Sequence, residues 1–126
     1  AGANVAKSSD FSEVESVENA PNVHLTTANG ASLPNRGANR IFSYSRDGRR
    51  IGRVFYDAKV DTPILAVSEL SKEGARGSEV RLRQRDGFIK DLENGFRQPV
   101  VKRRGVYFTK MLVKKINPDF IRPGSP

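Results

Sequence analysis

Apolar and polar residues alternate with a period of two along much of the chain, in short runs that end at glycine, proline, asparagine or aspartate. Successive side chains of a strand point to opposite faces, so this pattern predicts half-buried strands rather than helices. The expected strands are Val23–Thr27, Arg40–Ser45, Ile51–Ala58, Glu79–Arg85, Phe88–Leu92, Phe96–Lys102 and Val106–Val113. Asn29-Gly30, Asp47-Gly48, Asp86-Gly87 and Asn94-Gly95 read as turns, where glycine supplies the positive φ that tight hairpins need. Pro63–Val67 is an apolar run too short for a helix, and Ser68–Glu73 before Gly74 fits one or two helical turns closed by a C-terminal glycine. Ser8–Asn22 is polar and weakly periodic, which predicts a surface loop or short helix. The tail from Asn117 holds Pro118, Pro123 and Pro126 and is expected to be extended.

The expected fold class is all-β: a small β-barrel or sandwich with one or two short helices and a C-terminal meander. Its expected organisation is an acidic surface segment over 1–22, a β domain over 23–116 and an extended tail over 117–126. Ile64, Leu65, Val67, Leu70, Val80, Leu82, Ile89, Val106, Phe108 and Leu112 are expected to supply much of the core.

Composition narrows the function classes. A chain of 126 residues with 37% hydrophobic content suits one small domain and excludes wholesale disorder. No apolar run approaches the ~20 residues of a membrane-spanning helix. The absence of cysteine removes disulfides, thiol catalysis and cysteine-based zinc sites. A single histidine, His24, argues against a histidine metal site or a Ser-His-Asp triad and is expected to be structural, at the start of a strand. Gly48–Gly52 lacks the lysine-serine ending of a phosphate loop, and Gly74-Ala75-Arg76-Gly77 precedes no helix. No cofactor or metal is therefore expected.

Charge changes the picture most. The net charge is +8 and the isoelectric point about 10.2. Residues 1–35 hold one basic residue against four acids, whereas 36–126 hold 21 against 10. The basic residues form three clusters: Arg46 to Arg53, Arg76 to Arg85, and Lys102 to Lys115. On the expected strand Glu79–Arg85, alternation puts Arg81, Arg83 and Arg85 on one face, with Val80 and Leu82 toward the core. These arginines and Lys102, Arg103 and Arg104 are the expected contact residues for an acidic protein or another anionic surface, because guanidinium pairs bidentately with carboxylate and phosphate. Tyr44, Tyr56, Tyr107, Phe88 and Phe108 are candidate stacking platforms for a nucleic acid, although core packing is the plainer role for most of them. No zinc-finger, helix-turn-helix or ribonucleoprotein motif accompanies them.

Several short motifs occur in an order that resembles a known family. Thr27-Ala28-Asn29-Gly30 with Leu33-Pro34-Asn35 and Gly37 is similar to a segment in the retropepsin-like protease region of Copia-type retrotransposon polyproteins. Pro63-Ile64-Leu65-Ala66-Val67-Ser68-Glu69-Leu70 with Gly74, then Asp86-Gly87-Phe88-Ile89, Asn94-Gly95 and Arg103-Arg104-Gly105-Val106-Tyr107-Phe108, resemble the motifs that follow it. The resemblance covers roughly residues 23–113 and implies a small retropepsin-like β fold. It implies aspartic-protease chemistry only where an Asp-Ser/Thr-Gly-Ala motif stands upstream. Here Ala1-Gly2-Ala3 occupies that position: Gly2 and Ala3 match, Ala1 replaces the hydroxyl residue, and the aspartate would precede the chain. Asp61-Thr62-Pro63 looks superficially like that motif, but proline cannot supply its glycine turn. Asp10 reads as a solvated or capping acid.

The expectation is thus a non-catalytic, retropepsin-derived binding subunit of a larger assembly, either an organellar membrane complex or a ribonucleoprotein. Its alternatives are a homodimeric aspartic protease whose aspartate precedes Ala1, and a basic nucleic-acid-binding module. Peripheral membrane association is compatible with the charge. The chain opens on Ala1 and has Met111 as its sole methionine, which reads as a processed chain or a fragment. Residence in an organelle after removal of a targeting segment fits that start.

Overall fold

The computed structural model describes residues 2–26 and 30–114. The strands are β1 (Val5–Ala6), β2 (Val14–Val17), β3 (Leu25–Thr26), β4 (Ser32–Leu33), β5 (Asn35–Tyr44), β6 (Arg50–Ala58), β7 (Ser78–Leu82), β8 (Asp86–Asp91), β9 (Arg97–Arg103) and β10 (Val106–Thr109). A 3-10 turn spans Ser8–Asp10, and the one α-helix among the described residues, α1, spans Val67–Leu70. The protein is all-β, and its last four strands form a meander of order β10-β9-β8-β7. The first sheet has the order β1-β6-β5-β2, and β3 and β4 form a separate pair. No described helix is long and apolar enough to cross a membrane.

The β5–β6 hairpin is the longest pairing and turns where Asp47-Gly48 predicts. Ser45 N–H donates to the Arg49 carbonyl at 2.9 Å, and Gly48 takes φ +84°, a backbone state that costs a residue with a Cβ. From this hairpin Ile41 and Phe55 point inward and are the largest fully buried side chains; with Ala6 they form one apolar cluster. A second cluster, Leu70, Ile89 and Val100, lies between α1 and the inner face of the meander. Leu65 is half-buried and packs against both clusters, joining the two sheets.

The N-terminal segment departs from expectation. Ala3, Asn4, Val5 and Ala6 are buried. β1 lies parallel to β6, and Val5 exchanges two backbone hydrogen bonds with Ile64, at 2.9 and 2.8 Å. The Asn4 side chain donates to the Val54 carbonyl and accepts from the Ala66 N–H at 2.8 Å. Within Ser8–Asn22, expected as loop or helix, Val14–Val17 instead pairs antiparallel with β5. Its residues are mostly exposed, so it is an edge strand held by ladder hydrogen bonds, with no burial to imprint an alternating pattern.

Two further expectations are corrected. Of the expected core, Ile64, Val67, Leu82, Val106, Phe108 and Leu112 are exposed large hydrophobics, whereas Leu70 and Ile89 are buried. The expected strand Glu79–Arg85 ends at Leu82, and Asp86-Gly87 opens β8 instead of forming the turn. The turn runs through Gln84 and Arg85 and is closed by the Arg83 N–H donating to the Asp86 carbonyl at 2.6 Å. Gly87 sits opposite Leu82, and a Cβ there would lie 2.1 Å from the Arg81 carbonyl oxygen. Glycine is required by that close approach and not by a turn. The expected extended tail lies outside the described residues.

Candidate functional site

Directly paired residues of an antiparallel sheet share a face. The register of the meander therefore sorts its side chains. One face carries Val80, Ile89 and Val100 toward the core. The other carries Glu79 and Arg81 on β7, Asp86, Phe88 and Lys90 on β8, Arg97, Pro99, Val101 and Arg103 on β9, and Val106 and Phe108 on β10. This outer face thus combines four cations and two acids on its strands with a strip of apolar residues through the middle.

The strip is divided between a covered end and an open end. Phe88 is only 8% exposed although it lies on the outer face. The guanidiniums of Arg97, Arg81 and Arg83 cover its ring, at 4.2, 5.8 and 5.7 Å from the centroid. Arg81 also pairs with Glu79 at 2.8 Å, and Arg83 with Asp86 at 3.0 Å. The hydrogen bond from Arg81 holds the Glu79 carboxyl below its ordinary pKa. At the other end Val101 and Phe108, direct cross-strand partners, are exposed, as is Val106.

Beside Val101 and Phe108 the β5–β6 hairpin tip and the chain after β10 enclose a groove of about 750 Å³. Its floor is Phe96, Pro99, Val101, Phe108 and Leu112. Arg46, Arg97, Arg103 and Lys110 also line it, with Asp47 as the sole acid among the described residues that line it. The walls are fixed by backbone and cation–π contacts. The Tyr44 N–H donates to the Leu112 carbonyl at 2.7 Å, and the Arg49 guanidinium lies 4.5 Å from the Phe96 ring centroid. A hydrogen bond from the Ser45 hydroxyl holds the Asp47 carboxyl below its ordinary pKa.

The expected contact residues are only partly brought together. Arg81 lies on the outer face and Arg83 follows at the strand end, both over Phe88. Arg85 lies in the turn after β7, so the three do not alternate along one strand. Lys102 is half-buried on the inner side, its ammonium 5.3 Å from the Tyr107 ring centroid. Arg103 lines the groove, and Arg104 stands at the β9–β10 turn with φ +52°. Lys110, a member of the third basic cluster, lines the groove too, and so does Arg97, which escapes a search for runs of basic residues because it stands apart from the three clusters in sequence. The Arg46–Arg53 cluster disperses. Arg50 stacks over Phe42, Arg46 reaches the groove, and Arg53 is buried.

Arg53 lies on the inner face of β6 with a 2% exposed side chain. Its Nε and Nη2 donate to Glu73 at 2.6 and 3.1 Å, and Nη2 also donates to Gln98 of β9 at 2.9 Å. This bridge ties the first sheet to the meander. Of the candidate stacking platforms, Tyr44, Tyr56 and Tyr107 spend their hydroxyls on Glu13, Pro21 and Arg83, and Phe88 is covered. Phe108 alone of the five is open to a partner.

The motif remnant Gly2-Ala3 borders a cavity of about 540 Å³ that is also lined by Glu18, Glu69 and Glu73. Glu69 pairs with Lys72 at 3.6 Å and Glu73 with Arg53. A protease dyad needs two carboxylates close enough to share one proton, whereas these two each face a cation. Asp61 is exposed, Asp10 is exposed at the 3-10 turn, and His24 is exposed immediately ahead of β3. Among the described residues no group of three or more His, Cys, Asp and Glu is placed to hold a metal ion. No protein-family model matches the chain, and neither does any curated protein or solved structure.

Proposed function

We propose that this protein is a non-catalytic binding subunit, of retropepsin-like descent, that docks on an anionic partner within a larger assembly. The observation that carries the reading is the outer face of β7–β10. There a sheet presents Arg81, Arg97, Arg103 and Lys90 on the same face as exposed Val101, Val106 and Phe108. Exposed apolar groups rimmed by charge are a common mark of an interaction site. A surplus of cations also steers an anionic partner to the face. The retropepsin-like descent is supported by the ordered motifs, the all-β architecture and the placement of Gly2-Ala3 just before β1. The non-catalytic character rests on the alanine that stands at the position of the motif's hydroxyl residue.

The test is the affinity of the full chain for polyglutamate, measured by fluorescence anisotropy across a salt series. Arg97→Glu with Arg103→Glu is expected to weaken binding about tenfold and to flatten the salt dependence. Arg36→Glu with Lys59→Glu, exposed charges at the far end of the β5–β6 hairpin, is expected to change it less than about threefold. Equal losses from both pairs would reduce the site to net charge. Pepstatin-sensitive cleavage of a protein substrate by the 126-residue chain would contradict the non-catalytic reading.

A further inference from the structure

The groove at the open end of the outer face has a chemistry more specific than positive charge. Its floor is aliphatic as well as aromatic: Val101 is 44% exposed, Phe108 47% and Leu112 39%. Bases stack well on aromatic rings, but aliphatic side chains offer them no comparable platform. A floor of this composition instead matches a bulky apolar side chain, which removes the floor from water as it seats. Among the described residues four cations line the same groove against Asp47 alone, and the Asp47 carboxylate already accepts from the Ser45 hydroxyl. The walls are braced by the Tyr44–Leu112 bridge and the Arg49–Phe96 stack, so the groove exists before any partner arrives and little ordering cost remains.

We infer that this groove seats an acidic polypeptide segment, with a Leu, Ile or Phe side chain on the Val101–Phe108–Leu112 floor and flanking carboxylates on Arg46, Arg97, Arg103 and Lys110. The inference rests on the anionic-partner reading and adds the partner's chemical class. Charge complementarity selects the sign of the segment, and the exposed apolar floor selects polypeptide over nucleic acid. The anchor supplies the residence time, because rim charges act chiefly on the association rate.

The experiment selects dodecapeptides from a random display library on the immobilised full chain, then measures the enriched peptides and a dT12 oligonucleotide in solution. Enriched peptides are expected to place two or more Asp or Glu within three positions of a Leu, Ile or Phe. Phe108→Ser and Leu112→Ser are each expected to weaken them about tenfold. Arg103→Glu is expected to do likewise, while Arg36→Glu leaves them unchanged. Thermal unfolding of each variant separates loss of the groove from loss of the fold, and the two floor variants serve as independent checks. Acidic peptides without an apolar anchor, indifferent to both floor variants, would overturn the groove assignment and leave the anionic-partner reading standing. Tighter binding of dT12 than of any peptide would overturn the polypeptide assignment. Selection without acidic enrichment would overturn both readings.

Discussion

Gly87 shows how one residue can be read correctly as necessary and wrongly as a turn. The Asp86-Gly87 pair carries the usual hairpin signal, yet the chain turns two residues earlier and Gly87 lies flat against β7. A methyl group at 2.1 Å from the Arg81 carbonyl oxygen cannot be accommodated without moving backbone. Gly87→Ala is therefore expected to destabilise the fold by about 1–3 kcal/mol, the range for overpacking. Gly95→Ala meets open space and carries only the strain of its φ of +75°. Urea unfolding of both variants checks the order. Arg53 is a second case, since a cluster of arginines reads as solvated surface. Its neighbours Ile51 and Phe55 share its face, so the strand period alone places it inward. Glu73→Ala leaves that guanidinium buried without its counter-charge and is expected to cost about 3 kcal/mol. Arg53→Met, which removes the charge and keeps the packing, is expected to cost less.

Acid sensitivity is also set at single residues. The Tyr44 hydroxyl donates to the Glu13 carboxylate at 2.7 Å and, with Lys114 and Arg50, holds that carboxyl below its ordinary pKa against the opposing effect of desolvation. A carboxyl depressed in the folded state stabilises the fold above its unfolded pKa, and that contribution fades as pH falls through the folded value. Glu13→Gln is thus expected to be less stable than the parent at pH 7 and to approach it progressively as pH falls below the ordinary glutamate pKa of about 4.3. Thermal unfolding at a series of pH values measures this. A constant difference from pH 7 to pH 3 would contradict the assignment.

Among the elements, those that bury one face and solvate the other were legible from sequence. β5, β6, β8 and β9 alternate and close on turn residues, and they overlap the expected strands. β1 is too short to show a period, and β2 is exposed on nearly every residue, so both are defined by their partners in the sheet. The meander exposes the same limit on its outer face. Val101, Val106 and Phe108 have the apolar character of core residues, and only the register shows that they face away from Ile89 and Val100. The basic clusters were legible as charge and not as a site, because Arg46 meets Arg97, Arg103 and Lys110 only where the β5–β6 turn packs beside the meander. The β9–β10 turn uses Arg104 and Gly105, both at positive φ, where asparagine is the less strained first residue. Arg104→Asn is expected to raise stability by about 0.5–1 kcal/mol, measured by urea unfolding.

At the scale of the whole molecule, polarity is the organising feature. The acids Glu13 and Glu15 answer Arg50 and Arg40 within the first sheet. The meander keeps a surplus of positive charge on its outer face, and an unanswered surplus on one face costs self-repulsion that an anionic partner would relieve. The most direct measurement is a backbone-amide NMR titration of the full chain with polyglutamate at low salt. The account predicts shifts concentrated in β7–β10 and the Ser45–Arg49 turn, with Val101, Arg103 and Phe108 among the largest and β2 and β3 unmoved. Shifts spread evenly over both sheets, or confined to β5 and β6, would contradict it.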